Sequence, residues 1–212
     1  EVRGCLTEVL RHLGLHILYW IANHTEGVCA ERVFAPWADA EQVMHQRGIP
    51  LFTWDTRQPV RGADILAVSL QYELSLTNLL LLLDLAGIPL HAAERTEDDP
   101  LVIVGGPQVD NPEPVADFVD LVIVGDGEES LPAFLTLCRQ MKRQGASRRD
   151  LIVEAARRFE WAYTPSLYEV DDEYSGFEWI DFRDAEQSVI AFIRYARDRR
   201  DFIVVCGNFT PV

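Results

Sequence analysis

The chain has 212 residues, 48% of them hydrophobic and 25% charged, with 34 acidic against 19 basic side chains and a formal charge of −15. That length suits one good core, or one domain with a small appendage, and the composition is that of an ordinary soluble globular protein. The acidic balance argues against nucleic acid or an anionic membrane as partner, because both reward clustered Lys and Arg.

In chain order, His12 to Asn23 (HLGLHILYWIAN) is apolar at helical spacing and predicts a buried helix. Cys29 to Phe34 predicts a short strand that ends at Ala35-Pro36-Trp37. Asp39 with Gln42 three residues on resembles a capping box, opening a helix that stops at Gly48 before Pro50. Asp64 to Leu70 (DILAVSL) reads as a buried strand. Ser75 reads as the N-cap of a Leu-rich helix ending at Gly87, and Ile88 to His91 as a short strand or a loop. Leu101–Val104 and Val119–Val124 are buried strands on either side of a Pro-rich connection. Ser130 then reads as the cap of a helix with Pro132 in its first turn, ending near Gly145. Ser147 and Asp150 open a further helix through Phe159.

Strands alternating with helices to about residue 160 predict βαβ units and a Rossmann-like, doubly wound parallel sheet. After Pro165 the pattern changes to three strand-like runs, Phe177–Ile180, Ser188–Tyr195 and Phe202–Phe209, which predict a short antiparallel meander. The expected boundary divides residues 1–167 from 168–212. The longest apolar stretch, Leu79 to Leu83, is too short for a bilayer and lies between Asn78 and Asp84. No signal peptide pattern opens the chain. Cys5, Cys29, Cys138 and Cys206 are too far apart for a metal or cluster motif, and the last three sit among apolar residues as expected of buried reduced thiols. The chain reads as cytoplasmic.

The most informative residues are two Gly-rich stretches that each follow an apolar, β-branched run. Gly105-Gly106-Pro107 follows Leu101–Val104, and Gly125-Asp126-Gly127-Glu128-Glu129 follows Leu121–Val124. Loops at the carboxyl ends of parallel strands form the ligand rim in open α/β sheets. Gly105, Gly106 and Pro107 either let the backbone approach a small-molecule ligand or make a tight turn that needs glycine for its own geometry. Gly125, Asp126, Gly127, Glu128 and Glu129 either hold a ribose hydroxyl or bind a metal by carboxylates, or Asp126, Glu128 and Glu129 favour the adjoining helix N-terminus. Three carboxylates there repel phosphate, so neither a P-loop nor a pyrophosphate fingerprint is present. Glu73 and Asn78 either reach the same cleft or belong to a solvated helix start. His12 and His16, four apart, have metal-binding spacing without a third ligand, or else pack.

Several stretches carry a resemblance as well. HLGLHILY (12–19), AERVFAPW (30–37), GIPLF (48–52), SLQYELSLTN (69–78), LDLAGIPL (83–90), DDPLVIVGGP (98–107), NPEPVADF (111–118) and VIVGDGEES (122–130) match in order and spacing. On these, residues 12 to about 169 resemble the N-terminal part of a family of radical SAM proteins with a cobalamin-binding-like domain. The resemblance implies a Rossmann-like domain ahead of a barrel that binds a [4Fe–4S] cluster through CxxxCxxC. That motif is absent, so no iron–sulfur cluster is expected in this chain, and neither is the barrel that should follow residue 170. Cobalamin is implied as a ligand, but the DxHxxG motif that offers its lower ligand is absent. The segment EVRGCLTEVLR lacks the apolar first strand that the family places there.

Residues 168 to 212 are similar to the start of the C-terminal all-β domain of 1,4-α-glucan (glycogen) branching enzymes, through GFEWID (176–181), DAEQSVIAFIR (184–194) and NFTPV (208–212). The resemblance implies a catalytic barrel beside this domain, and none of it is present. Glu178, Asp181, Asp184 and Glu186 read as a solvated face, not as paired acid/base carboxylates. Phe177 and Trp179 stack on sugar or pack the β unit. The two resemblances meet at Tyr168-Glu169-Val170, as expected of a chimera. Three functions remain open: a binding module of radical SAM type without its barrel, a fragment linked to glycogen branching, and a non-functional fusion. Both parent families are enzymes.

Overall fold

The computed structural model of the chain describes residues 2–7, 13–72, 75–168, 177–184, 189–195 and 202–208, with side chains up to residue 168 except at position 7. It divides into two compact units, Glu1–Tyr168 and Glu169–Val212.

The first unit is α/β. In chain order it holds β1 (Val2–Thr7), α1 (Leu13–His24), β2 (Val28–Val33), α2 (Ala38–Arg47), β3 (Ile65–Ser69) and α3 (Ser75–Ala86). These are followed by β4 (Leu101–Gly105), β5 (Leu121–Ile123), α4 (Gly127–Arg143), α5 (Arg148–Arg158) and β6 (Ala162–Tyr163). The sheet order is β2-β1-β3-β4-β5-β6. All neighbours are parallel except β5 and β6. Strand order reverses between β1 and β3, which makes the carboxyl ends of those strands the topological switch point of a doubly wound sheet.

β3, β4 and β5 are nearly continuous apolar runs because helices cover both of their faces. Leu66, Val68, Val102, Val104 and Val122 pack with Met44 of α2 and with Leu79, Leu82 and Leu83 of α3. Ile65, Leu101, Ile103, Leu121 and Ile123 pack on the other face with Leu15 of α1, Phe134 and Leu135 of α4, and Ile152 of α5. Alternate residues of each strand thus feed two separate cores.

The first strand expected to be lacking is present. β1 is parallel to both β2 and β3, with Gly4 opposite Ala30 on one side and Ile65 on the other. Its composition hides it, because VRGCLT has no β-branched run. Val2, Cys5 and Leu6 are nevertheless buried. Arg3 sits near the sheet end, where its backbone N–H donates to the Asp64 carboxylate at 2.7 Å.

Helix boundaries follow turn geometry more closely than the sequence suggested. α2 begins at Ala38 with Trp37 in the cap position, so Asp39 falls inside the first turn, where its carboxylate accepts from the Ala40 backbone N–H at 2.8 Å instead of forming a capping box; Gly48 ends the helix at φ 61° as expected. α4 begins at Gly127, because Gly125 at φ 98° turns the chain into a helix directly after β5. Ser130 is therefore inside α4, donating to the Asp126 carbonyl at 2.8 Å, and Pro132 lies beyond the first turn. Ser75 is the first residue of α3, and residues 88–91 form no strand. The capping box of Ser147 and Asp150 on α5 is fully formed. α1 buries only Leu15 and Ala22 and leaves Leu13, Ile17 and Trp20 exposed, so it is not the buried helix expected.

The second unit is an antiparallel sheet of β7 (Phe177–Asp184), β8 (Val189–Tyr195) and β9 (Phe202–Asn208) in that order. Register shifts interrupt β7 on either side of Asp181. Glu186, Ser188 and Phe209 lie outside the described residues, as do the side chains of Phe177, Glu178, Trp179, Asp181, Asp184 and Cys206. No described helix is long and apolar enough to cross a membrane.

Candidate functional site

The carboxyl ends of β1, β3, β4 and β5 and the first turns of α1 and α4 enclose a cleft of about 370 Å³. Its floor is apolar: Leu6, Ile103 and Ile123 rise from the sheet, with Leu15 and Leu18 from α1 and Leu131 from α4. Its rim is polar. Ser69 ends β3, and its hydroxyl accepts from the Gln71 amide at 2.6 Å. Asp110 closes the short turn after β4, and Asp126 and Glu128 flank the start of α4. All three carboxylates are exposed, and no described lining side chain is basic.

Gly105, Gly106, Pro107, Gly125, Asp126, Gly127 and Glu128, all singled out from the sequence, line this one cleft. The glycines differ in what they contribute, and at Gly105 a Cβ would find only ordinary contacts, the nearest at 3.5 Å. Gly106 has φ 103° and ψ 177°, a conformation essentially confined to glycine, and a Cβ there would lie 2.6 Å from the Leu70 carbonyl oxygen. The backbone that approaches Gly106 is thus the chain's own. Gly125 needs its φ of 98° but faces open space. At Gly127 a Cβ would come 3.0 Å from Leu18 Cδ2, so this glycine lets α1 and α4 close together along the cleft wall. The Asp126 side chain makes no capping bond to α4.

Asn78 does not line the cleft, and Glu73 and His12 lie outside the described residues. His16 is exposed on α1, away from the lining. Sequence reading missed Ser69, Gln71 and Asp110 and the whole apolar floor. Ser69 and Gln71 had a usable signal, since they follow DILAVSL just as the Gly-rich stretches follow their own strands. The floor had none, because its residues are indistinguishable from core until the fold leaves them uncovered.

Among the described residues no group of three or more His, Cys, Asp or Glu is placed to hold a metal ion. A second hollow, of about 350 Å³, lies beside the amino ends of β3 and β4. Two of its ion pairs are Arg61 with Asp99 at 2.9 Å and Lys142 with Asp64 at 2.6 Å, and the Glu97 carboxylate accepts from the Arg148 backbone N–H at 2.9 Å. That end of the sheet is stapled by its charges and the opposite end is left open.

Residues 14–165 match the family described as radical SAM proteins, N-terminal. The chain belongs to this family. Beyond the radical SAM N-terminal domain, residues 179–212 match the alpha amylase C-terminal all-beta domain. In the C-terminal region the chain is similar to 1,4-alpha-glucan branching enzymes GlgB. The enzyme of Rubrobacter xylanophilus is 48% identical over 64 residues, 30% of this chain and 9% of the enzyme. Those of Trichodesmium erythraeum and Thermosynechococcus vestitus are 55% and 53% identical over 47 residues, 22% of this chain and 6% of each enzyme. The chain thus spans less than a tenth of the length of these relatives. No solved structure matches it.

Proposed function

We propose that the radical SAM N-terminal domain of this chain is a binding module that holds a small molecule in the cleft at the switch point, with chemistry carried by a catalytic barrel elsewhere. The observation that carries this is convergence: four strand ends and two helix starts meet at one concave, apolar-floored, polar-rimmed site. The described lining pairs no nucleophile with a base, which supports binding over catalysis. The described lining does not fit a histidine-ligated corrinoid, because it offers no imidazole. We also assign the chain to the cytosol, which the free thiols of Cys5, Cys29 and Cys138 support.

The test is native mass spectrometry after incubation with a metabolite extract, comparing the wild type with Gly14→Phe. Gly14 lines the cleft, and a Cβ there meets nothing within 4 Å, so the backbone accepts a side chain at this position and phenylalanine is chosen to obstruct the mouth. Retention of a small molecule by the wild type and its loss in the variant is expected. Equal retention by both would place the ligand elsewhere.

A second reading concerns the β unit alone. Its match to the alpha amylase C-terminal domain and the likeness to branching enzymes favour an association with α-glucan. Retarded migration in a native gel containing glycogen is the expected result, and unaltered migration would remove this reading.

A further inference from the structure

Resting on the reading of this cleft as a binding site, we propose that it selects an uncharged or cationic ligand with a flat apolar body and rejects phosphorylated and carboxylated ones. Doubly wound sheets commonly place anions at this position, where a glycine loop meets a helix N-terminus. The same elements are present here with their charge reversed.

The α4 N-terminus offers roughly half a positive charge. Asp126 stands directly before it and Glu128 lies in its first turn, so two carboxylates already answer that field. Asp110 adds a third on the turn after β4, and among the described residues no Lys, Arg or His lines the cleft to offset them. An anion entering would meet net negative charge; an ammonium group or a ring of hydroxyls would find acceptors. The Ser69–Gln71 pair supplies neutral donors and acceptors beside them. Below the rim, Leu15 and Leu18 on one side and Ile103, Ile123 and Leu131 on the other offer only apolar surface. That floor rewards a ring with few polar atoms, since a polar group buried there finds no partner. Because all three carboxylates are exposed, the charge preference is screened by salt while the apolar contribution persists.

The test uses two probes with one ring body and opposite charge, 1-naphthylmethylamine and 1-naphthoate, titrated calorimetrically into the full chain at low and at high salt. At low salt the amine is expected to bind at least about tenfold more tightly, a preference that shrinks at high salt. The double variant Asp126→Asn/Glu128→Gln should bring the two affinities within about threefold of each other, and Gly14→Phe should abolish both. Since the Asp126 side chain makes no capping bond, the double variant loses only the attraction of two exposed carboxylates to the α4 N-terminus and is expected to stay folded and melt slightly below the wild type. Equal affinities, or tighter binding of 1-naphthoate, both lost in Gly14→Phe, overturn the charge selection and leave the cleft as a binding site. Binding of neither probe, or binding that survives Gly14→Phe, overturns the cleft reading itself.

Discussion

Arg95 and Asp120 form a buried ion pair at 3.0 Å, with side chains 0% and 4% exposed, at the end of the sheet opposite the cleft. The pair is well satisfied. The same Asp120 oxygen accepts from the Val102 backbone N–H at 2.7 Å and from Arg148 at 2.5 Å. Arg95 donates in addition to the carbonyls of Pro89, Leu90 and Phe118. Burial draws the Arg95 pKa below its ordinary value, and Asp120 partly restores it. Asp120, paired with both Arg95 and Arg148, therefore joins the segment after α3, the starts of β4 and β5, and the start of α5.

Removing one partner of such a pair leaves a buried charge uncompensated. Asp120→Asn is expected to cost about 3–5 kcal/mol in urea unfolding. A loss under about 1 kcal/mol, the level of an exposed ion pair, would mean that water reaches Arg95.

The glycines of the rim separate backbone strain from crowding. Gly125→Ala meets open space and suffers only its positive φ, a cost of about 1–3 kcal/mol. Gly106→Ala suffers comparable strain and also drives a Cβ to 2.6 Å from the Leu70 carbonyl, so it should be the more destabilising of the two. Melting temperatures of the two variants check the order, and a reversed order would contradict the contact.

Acid stability should depend on Asp99. Burial opposes ionisation of its carboxyl, but the Thr96 backbone N–H and hydroxyl and the Arg61 guanidinium outweigh it and hold the pKa below the ordinary value. A lowered folded-state pKa gives stability that is present above the unfolded value of about 4 and is lost as pH falls through the folded one. The melting temperature should therefore fall as pH drops from about 5 to about 2, less steeply in Asp99→Asn. Parallel profiles for the two proteins would show that Asp99 contributes nothing to acid sensitivity.

Cysteine reactivity should divide by burial. The Cys5 thiol is pushed up to about 12, first by burial and then by the nearby Glu31 and Cys29, and burial raises Cys138 as well. Neither should be alkylated by iodoacetamide at pH 8 in the folded protein, because the thiolate is the reactive form, and both should react in denaturant. Peptide-level mass spectrometry reads this directly; rapid native labelling of either would show that its strand or helix opens readily.

Much of this protein is determined by its sequence alone. The runs DILAVSL and LVIV, each closed by polar or Gly-rich residues, prescribe buried parallel strands whose carboxyl ends meet at one rim, because few other arrangements bury such runs. The change of pattern after Pro165 likewise prescribes a separate antiparallel sheet. Tertiary structure alone decided the rest. VRGCLT becomes a central strand because two neighbours satisfy its backbone, a contribution that no side-chain pattern records. Asp126, not Ser130, stands before α4 because of a single glycine's φ. Leu15, Ile103, Ile123 and Leu131 look like core in the sequence, and only the reversal of strand order between β1 and β3 leaves them as the floor of an open cleft. Propensity and periodicity act over neighbouring residues, whereas a cleft is made by the placement of segments more than a hundred residues apart in the chain.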